Sequence, residues 1–147
     1  MNDIVCATRG GAGSRAVQLA AIDLAQRTGN PLVFIYVVSP GMLSQEESAL
    51  QDVIRDELIW LGKALLVVAE KRARDAGLKA DTVILLGNVQ DEICRYLTEN
   101  RASILLLGAP RGTTAELAGE DAVKQFADRI YENSGVEVQI VRPEDES

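Results

Sequence analysis

The sequence predicts an α/β fold, a single-domain doubly wound sheet of five mostly parallel strands spanning residues 1–147. Short apolar runs alternate with longer segments of helical periodicity along the whole chain. The run at 32–38 is apolar on both faces, which is typical of a parallel strand covered by helices on both sides of the sheet. No linker, repeat or low-complexity stretch interrupts the alternation, so we expect one domain.

The first half of the sequence predicts two strands, each followed by a helix. Residues 3–8 and 32–38 are the apolar runs, and a helix with small inward residues joins them from an N-cap at Ser14 to about residue 28. A second helix begins in the capping box at 44–47 and ends before Gly77. Helical spacing assigns its core stripe to Leu50, Val53, Ile54, Leu58, Leu61, Leu65 and Val68.

This second helix is apolar over more than one stripe, because Ile59, Trp60, Leu66 and Val67 also lie on it. Two explanations remain open. The helix is buried more deeply beneath the preceding loop, or it contacts another subunit or protein, where tryptophan is a favoured residue. The second explanation predicts a protein partner at the Trp60 helix.

The second half predicts three more strands and two helices. The strands are expected at 81–86, 103–107 and 136–141, and the helices at about 89–99 and from the end of the preceding loop to Ser134. The final strand alternates apolar and polar residues, which indicates one exposed face, and residues 142–147 form an acidic tail. The inward face of the final helix is assigned to Val123, Phe126, Ala127, Ile130 and Tyr131.

The composition excludes several kinds of function. A net charge of -7 does not suit nucleic acid or an anionic membrane, both of which favour basic proteins. The sequence contains no histidine, which removes Ser-His-Asp and Cys-His catalysis and histidine metal sites. Cys6 and Cys94 lack metal-ligand spacing, and we expect both to be buried as small hydrophobes. With no apolar run of membrane-spanning length and no basic start, the protein is expected to be cytoplasmic.

The loop after the fourth strand is the best candidate for a ligand site. The apolar run at 104–107 leads into Gly108, and Gly119 stands directly before the final helix. In parallel α/β proteins such a loop faces the ligand crevice, and the helix N-terminus beyond it binds an anion. Glu120 and Asp121 stand where a phosphate needs hydrogen-bond donors. A triphosphate there meets like charge, which costs about 1 kcal/mol per unit pair in water and ~4 kcal/mol near a protein surface.

The order and spacing of the elements resemble the universal stress protein family over nearly the whole chain. The resemblance is carried by residues 4–8, 34–38, 86–88 and 104–108. It implies an adenine nucleotide alpha hydrolase-like fold with strand order 3-2-1-4-5, and ATP binding in some members. It also implies a homodimer formed through the final strand, which here contains Val136, Val138 and Ile140.

The resemblance further implies positions for a nucleotide site, although the family's fingerprint is degenerate here. The fingerprint is a glycine, two residues, a second glycine, nine residues, a third glycine and then Ser or Thr. Arg111 stands at the second glycine, and only six residues separate Gly112 from Gly119. Glu120 replaces the hydroxyl residue, and Arg9 replaces an aspartate of the first loop. The matching positions are Arg9, Val38, Leu107, Gly108, Arg111, Gly112, Gly119 and Glu120.

Three functions remain open from the sequence. The first is a regulatory protein of the universal stress type that acts as a dimer, without standard ATP binding and without enzymatic activity. The second is a nucleotide-binding switch whose phosphate loop is rebuilt around its arginines and glycines, with ATP or another adenine nucleotide as the ligand. The third is an enzyme acting on a small anionic substrate. Arg9 and Arg111 either form ion pairs with Glu120 or Asp121, or hold a different anion.

Overall fold

The computed structural model describes residues 2–8, 12–38, 48–108 and 120–141, with the backbone alone at 12–14, 48–49 and 120–122. Within these ranges the strands form one parallel sheet in the order β3-β2-β1-β4-β5, with helices on both faces. The predicted fold class and strand order are confirmed. The elements in chain order are β1 (Ile4–Ala7), α1 (Ala12–Thr28), β2 (Leu32–Val38), α2 (Ser48–Asp75), β3 (Ala80–Leu86), α3 (Val89–Glu99), β4 (Ile104–Gly108), α4 (Glu120–Ser134) and β5 (Glu137–Val141).

The sheet separates two hydrophobic clusters. Cys6 and Phe34 point toward α1 and α2, whereas Val5 and Ile35 point toward α3 and α4, and all four side chains are fully buried. Successive residues of a strand face opposite sides of a sheet, so a strand covered on both sides needs apolar residues throughout. This explains the unbroken apolar run of β2.

Helix α1 packs with small residues against the sheet, as predicted, since Val17, Ala21 and Ala25 are buried. The predicted N-cap at Ser14 is wrong, because α1 already begins at Ala12 and includes Ser14 in its first turn. Alanine is the best helix former, and a single glycine at position 13 lowers helix stability by only about 1 kcal/mol, so the helix extends past the predicted start.

Helix α2 is rotated relative to the prediction. Its inward face contains Gly62, Leu66, Ala69 and Ala73, all of them buried. The predicted core stripe is wrong at four positions that are exposed, namely Leu50, Val53, Leu61 and Val68. Small inward residues bring the helix close to the sheet, and the apolar spacing of the sequence does not reveal this preference. The predicted capping box at 44–47 lies outside the described residues, and the predicted stop is confirmed by Gly77, whose φ is +84°.

Two contacts fix the rotation of α2. A Cβ atom added to Gly62 would lie 2.6 Å from Cδ1 of Tyr36 on β2. Glycine therefore occupies this helical position because the tyrosine ring fills the space of a side chain. In addition, Arg72 Nη1 of α2 donates to the buried Gln18 Oε1 of α1 at 2.5 Å. These contacts fix which face of α2 meets the rest of the protein.

Helices α3 and α4 cover the opposite face of the sheet. Helix α3 buries Ile93 and Leu97, and its N-cap is Asn88, whose Oδ1 accepts from the backbone N–H of Asp91 at 3.1 Å. Helix α4 buries Ile130, whereas Tyr131 is 57% exposed and was wrongly assigned to the inward face. Tyr131 follows Val123 by eight residues, which is two full turns of α-helix plus about 80°. Tyr131 is therefore rotated away from the side of the helix on which Val123 lies.

Strand β5 is an edge of the sheet and begins at Glu137, one residue later than predicted. Glu137 and Gln139 are exposed, while Val138 and Ile140 are half-buried against the α3–α4 cluster. The predicted single exposed face of the last strand is confirmed. The acidic tail at 142–147 lies outside the described residues.

Candidate ligand site at the carboxyl edge of the sheet

The topology creates a crevice between the carboxyl ends of β1 and β4. The chain builds outward from β1 to β3 on one side and then returns to add β4 and β5 on the other, so the strand order reverses between β1 and β4. Helix α1 contributes to the core cluster on one face of the sheet, and α4 contributes to the cluster on the other. In open α/β sheets such a switch point is where ligands bind.

Thr8 stands at the end of β1 in this crevice. Its backbone N–H donates to Ile35 O at 2.8 Å, which continues the β1–β2 ladder by one residue. The register pairs Ile4 with Ile104, and its continuation places Thr8 level with Gly108. The side chain is 3% exposed, and Oγ1 forms no hydrogen bond of good geometry with any residue in the described ranges. A buried hydroxyl that lacks a well-formed hydrogen bond costs about 1–3 kcal/mol, so a ligand atom that completed such a bond would be favoured.

The neighbouring Cys6 is not a candidate nucleophile. Complete burial raises the pKa of the Cys6 thiol far above its ordinary value, and the adjacent Thr8 hydroxyl offsets only part of that rise. Thiolate is the reactive form of cysteine, and a buried thiol in apolar surroundings is inert. Cys6 is therefore a small core residue, as predicted. Cys94 is half-buried rather than buried, and the pKa of its thiol is also raised, mainly by burial and further by Asp91.

The carboxyl end of β2 is tied to the turn that follows β3. Val38 O accepts a hydrogen bond from the backbone N–H of Gly87 at 3.0 Å. Gly87 has a φ of +145°, and a Cβ there would lie 2.8 Å from Cγ of Glu92, so this turn requires glycine. One lone pair of the Val38 carbonyl is thus already used within the protein. A nucleobase at this position would have to use the second lone pair of this carbonyl, because the register directs the Val38 N–H group into the ladder with β3.

The structure brings three of the predicted site residues to one edge. Val38, Leu107 and Gly108 are the last residues of β2 and β4, which flank β1. Glu120 is the first residue of α4, and its side chain lies outside the described residues. The other predicted positions also lie outside the described residues, and their roles stay predictions: Arg9, Arg111, Gly112 and Gly119.

Two residues of this edge were not identified as site residues from the sequence. The sequence places Thr8 only in the first strand and Asn88 only among the residues that carry the family resemblance. The available signal for Thr8 was a hydroxyl residue at the carboxyl end of an otherwise apolar strand. For Asn88 it was the spacing to the acidic pair Asp91 and Glu92, which is typical of a helix start.

A second concave region lies away from this crevice, along the outer edge of β3. It encloses about 650 Å³ and is lined by residues of both charges, including Glu70, Arg74, Lys79 and Asp81, with Tyr96 at its wall. Burial raises the pKa of the Tyr96 hydroxyl, and the carboxylates of Asp3 and Asp81 add to the rise. The mixed charges do not select a ligand of one sign, so the crevice remains the better candidate site.

The described ranges contain no metal-binding cluster and no membrane-spanning helix. No group of three or more Cys, Asp or Glu side chains there comes together in a way that would hold a metal ion. None of the helices in those ranges combines the length and apolar character needed to cross a bilayer.

The parallel sheet, its strand order and the crevice at the switch point define a doubly wound α/β protein of the adenine nucleotide alpha hydrolase-like class. The sequence profile of the universal stress protein family matches residues 1–142. The chain therefore belongs to the universal stress protein family. No curated protein matches the sequence.

Solved structures share this fold at low sequence identity. A protein of the universal stress protein family from Burkholderia pseudomallei has a TM-score of 0.75 and 19% identity, covering 95% of this chain and 95% of its own. A universal stress protein in complex with cAMP has a TM-score of 0.64 and 20% identity, covering 97% of each chain. The universal stress protein from Archaeoglobus fulgidus in complex with dAMP has a TM-score of 0.62 and 16% identity, covering 96% of this chain and 98% of its own.

Proposed function

We propose that this protein is a regulatory member of the universal stress family that acts as a homodimer and does not bind ATP in the standard way. The observation that carries the proposal is the start of α4 at Glu120. Glu120 and Asp121 thereby occupy the first turn of the helix that follows the crevice. No catalytic residue is assigned, and the protein is proposed to act through contacts with other proteins.

The acidic first turn of α4 explains why a triphosphate would be disfavoured. The N-terminus of a helix carries a partial positive charge, which carboxylates in its first turn complement by about 0.3–1 kcal/mol each. The two carboxylates would thus complement this positive charge without a bound ligand. Each additional negative charge brought to contact range costs about 4 kcal/mol near a protein surface. A γ-phosphate would be opposed by both carboxylates.

Calorimetric titration tests the nucleotide part of the proposal. ATP, ADP and AMP with magnesium are expected to give no heat of binding at micromolar protein, and micromolar affinity for ATP would refute the proposal. Glu120→Ser restores the hydroxyl of the family fingerprint and is expected to increase affinity for ATP. Glu132→Ser, an exposed substitution near the other end of α4, serves as the matched control and should leave affinity unchanged.

The homodimer is proposed to form through the edge of β5. An edge strand offers unpaired backbone groups as a template for another strand. Val136 is only 8% exposed and so contributes little surface, whereas Val138 and Ile140 keep part of their side chains accessible. The backbone of 137–141 is therefore the main contact surface of this proposal. Sedimentation that shows only monomer at micromolar concentration would contradict it.

A nucleotide-binding switch is the second candidate, favoured by the unsatisfied hydroxyl of Thr8. Two proteins of the same fold are complexes with cAMP and dAMP, each of which carries a single phosphate. A single phosphate meets less repulsion at Glu120 than a triphosphate does. This candidate predicts that cAMP or AMP binds while ATP does not, and that Thr8→Val weakens the binding. If nothing co-purifies and neither nucleotide binds the wild type or Glu120→Ser, the candidate fails.

A further inference from the structure

The outer side of α2 carries an extended, largely apolar surface. Six large hydrophobic side chains of the helix are between 43% and 68% exposed. We call this surface the outer stripe, and it contains Leu50, Val53, Trp60, Leu61, Val67 and Val68. The six side chains together expose roughly 500–600 Å², at the upper end of the largest apolar patch that an ordinary monomer carries.

The exposure of the outer stripe is set by the packing of the opposite side of the helix. Gly62 and Ala69 face the sheet, and at 100° per residue they lie about half a turn from Trp60 and Val67. The helix cannot rotate to bury the stripe, because the Tyr36 ring occupies the space beside Gly62 and Arg72 is bonded to the buried Gln18 of α1. The outer stripe therefore stays available for another molecule.

The spacing of the outer stripe is that of helix pairing. Val53, Trp60 and Val67 are spaced by seven residues, and so are Leu61 and Val68. A seven-residue repeat keeps one seam facing a partner helix, where side chains of each helix pack between those of the other. The exposed Ala64 lies in the middle of the seam, and its small side chain allows two helices to approach closely there.

The charges along the seam favour a second copy of the same helix in antiparallel orientation. Glu57 precedes Ala64 by seven residues, and Lys71 follows it by seven residues. In an antiparallel pair centred on Ala64, each Glu57 meets the partner's Lys71. In a parallel pair, Glu57 would meet its own copy and Lys71 would do the same. Lys71 Nζ is 2.9 Å from Asp75 Oδ2 within one subunit, and both side chains are 64% exposed. Such a surface ion pair is weak, so Lys71 can leave it to contact Glu57 of the second copy.

We propose that the outer stripe of α2 is a self-association surface, on which two copies of this chain pair their α2 helices antiparallel about Ala64. The exposed area supplies most of the ~800 Å² per partner that a standard interface buries, and its charged rim supplies the remainder. This surface lies on a helix above one face of the sheet, whereas the proposed β5 contact lies at the sheet edge. Pairing at α2 is thus independent of pairing at β5, and the two together would join dimers into larger assemblies.

The single tryptophan of the sequence makes this interface observable on its own. Trp60 is 68% exposed in one subunit, so its fluorescence should be that of an indole in water at high dilution. On pairing at α2 the emission should shift to shorter wavelength, and the shift should follow the increase of mass in sedimentation across a dilution series. Association through β5 alone would raise the mass and leave the emission of Trp60 unchanged.

Charge variants test the orientation. Glu57→Lys and Lys71→Glu each replace both attractive contacts of the antiparallel pair by repulsive ones, and each should weaken association roughly tenfold. The double variant Glu57→Lys with Lys71→Glu restores opposite charges and should regain the affinity of the wild type. A parallel pair predicts a different result, because its like-charge contacts persist in the single and double variants alike.

A matched apolar pair of substitutions completes the test. Val67→Lys should abolish the concentration-dependent shift, while Leu86→Lys, which changes a comparably exposed residue at the end of β3, should leave it intact. Circular dichroism confirms that each variant is folded. The proposal is overturned if the emission of Trp60 is independent of concentration up to the highest protein concentration reached, or if Leu86→Lys and Val67→Lys reduce the shift equally.

Discussion

Gly62→Ala is the substitution that most directly tests how α2 is seated on the sheet. The new Cβ would lie 2.6 Å from Cδ1 of Tyr36, whereas carbon atoms in contact prefer about 3.5–4.0 Å. Overpacking of this kind costs ~1–3 kcal/mol. Replacing a helical glycine by alanine returns about 1 kcal/mol of helix propensity. The ring of Tyr36 is 8% exposed and has little space to retreat, so we expect a net loss of about 1–2 kcal/mol in the free energy of unfolding.

Urea denaturation of a double-mutant cycle measures this effect. In the background of Tyr36→Leu the ring is gone, and Gly62→Ala should then stabilise the protein by up to about 1 kcal/mol through propensity. The coupling between the two sites should accordingly amount to ~2–3 kcal/mol. Ala64→Gly, at an exposed position of the same helix, calibrates the propensity term and should cost about 1 kcal/mol. An increase of stability for Gly62→Ala in the wild-type background would refute the reasoning.

Three further predictions concern contacts on both faces of the sheet. Arg72→Ala leaves Gln18 Oε1 buried without its 2.5 Å partner and should lower the free energy of unfolding by about 1–3 kcal/mol, whereas the exposed Arg74→Ala should change it little. Asn88→Ala removes the cap that accepts from the Asp91 N–H and should cost about 1 kcal/mol in urea, while Asn88→Gly should cost only a few tenths. Burial raises the pKa of the Cys6 thiol above its ordinary value of 9.0, so above that pH the unfolded chain ionises while the folded chain keeps its proton. The free energy of unfolding should then fall by up to about 1.4 kcal/mol per pH unit, and Cys6→Ala should flatten this slope more than Cys94→Ala does. Equal slopes in the two alanine variants would contradict the assignment.

The fold was predictable from the sequence because its signals are redundant. The apolar runs of β2 and β4 mark buried parallel strands, and Gly77 and Gly135 end the helices before β3 and β5 with φ values of +84° and +75°. Every helix follows a strand, and right-handed crossovers leave few ways to arrange such units. Errors of one or two residues at element ends do not affect an argument of this kind.

The rotation of α2 was not predictable in the same way. Apolar residues occupy most of its circumference, so periodicity alone does not distinguish the stripe of Leu50 and Leu61 from that of Leu66 and Ala69. Which stripe faces the sheet depends on the contact between Gly62 and Tyr36, two residues that are distant in sequence. A glycine inside a long helix was the signal that could have indicated a close approach.

The location of the candidate site was predictable from the sequence, but only some of its residues were. The carboxyl edge follows from topology, and Val38 and Gly108 are found there. Thr8 was not identified, because its significance depends on burial without a well-formed hydrogen bond to the described residues, which is a property of three-dimensional packing. The first residue of α4 agrees with the sequence argument that places carboxylates at a helix N-terminus.

The position of β1 in the middle of the sheet has a consequence for synthesis of the chain. Ile4 pairs with Leu32 on one side and with Ile104 on the other, so β1, which is made before the other four strands of the sheet, receives its second neighbour late. At a translation rate of roughly 5–20 residues per second, that interval lasts on the order of 5–20 s. During this time β1, which buries Ile4, Val5 and Cys6 in the native protein, presents an open apolar edge, and such an edge pairs readily with other chains. A nascent chain paused before β4 is therefore the stage at which this protein depends most on protection from aggregation.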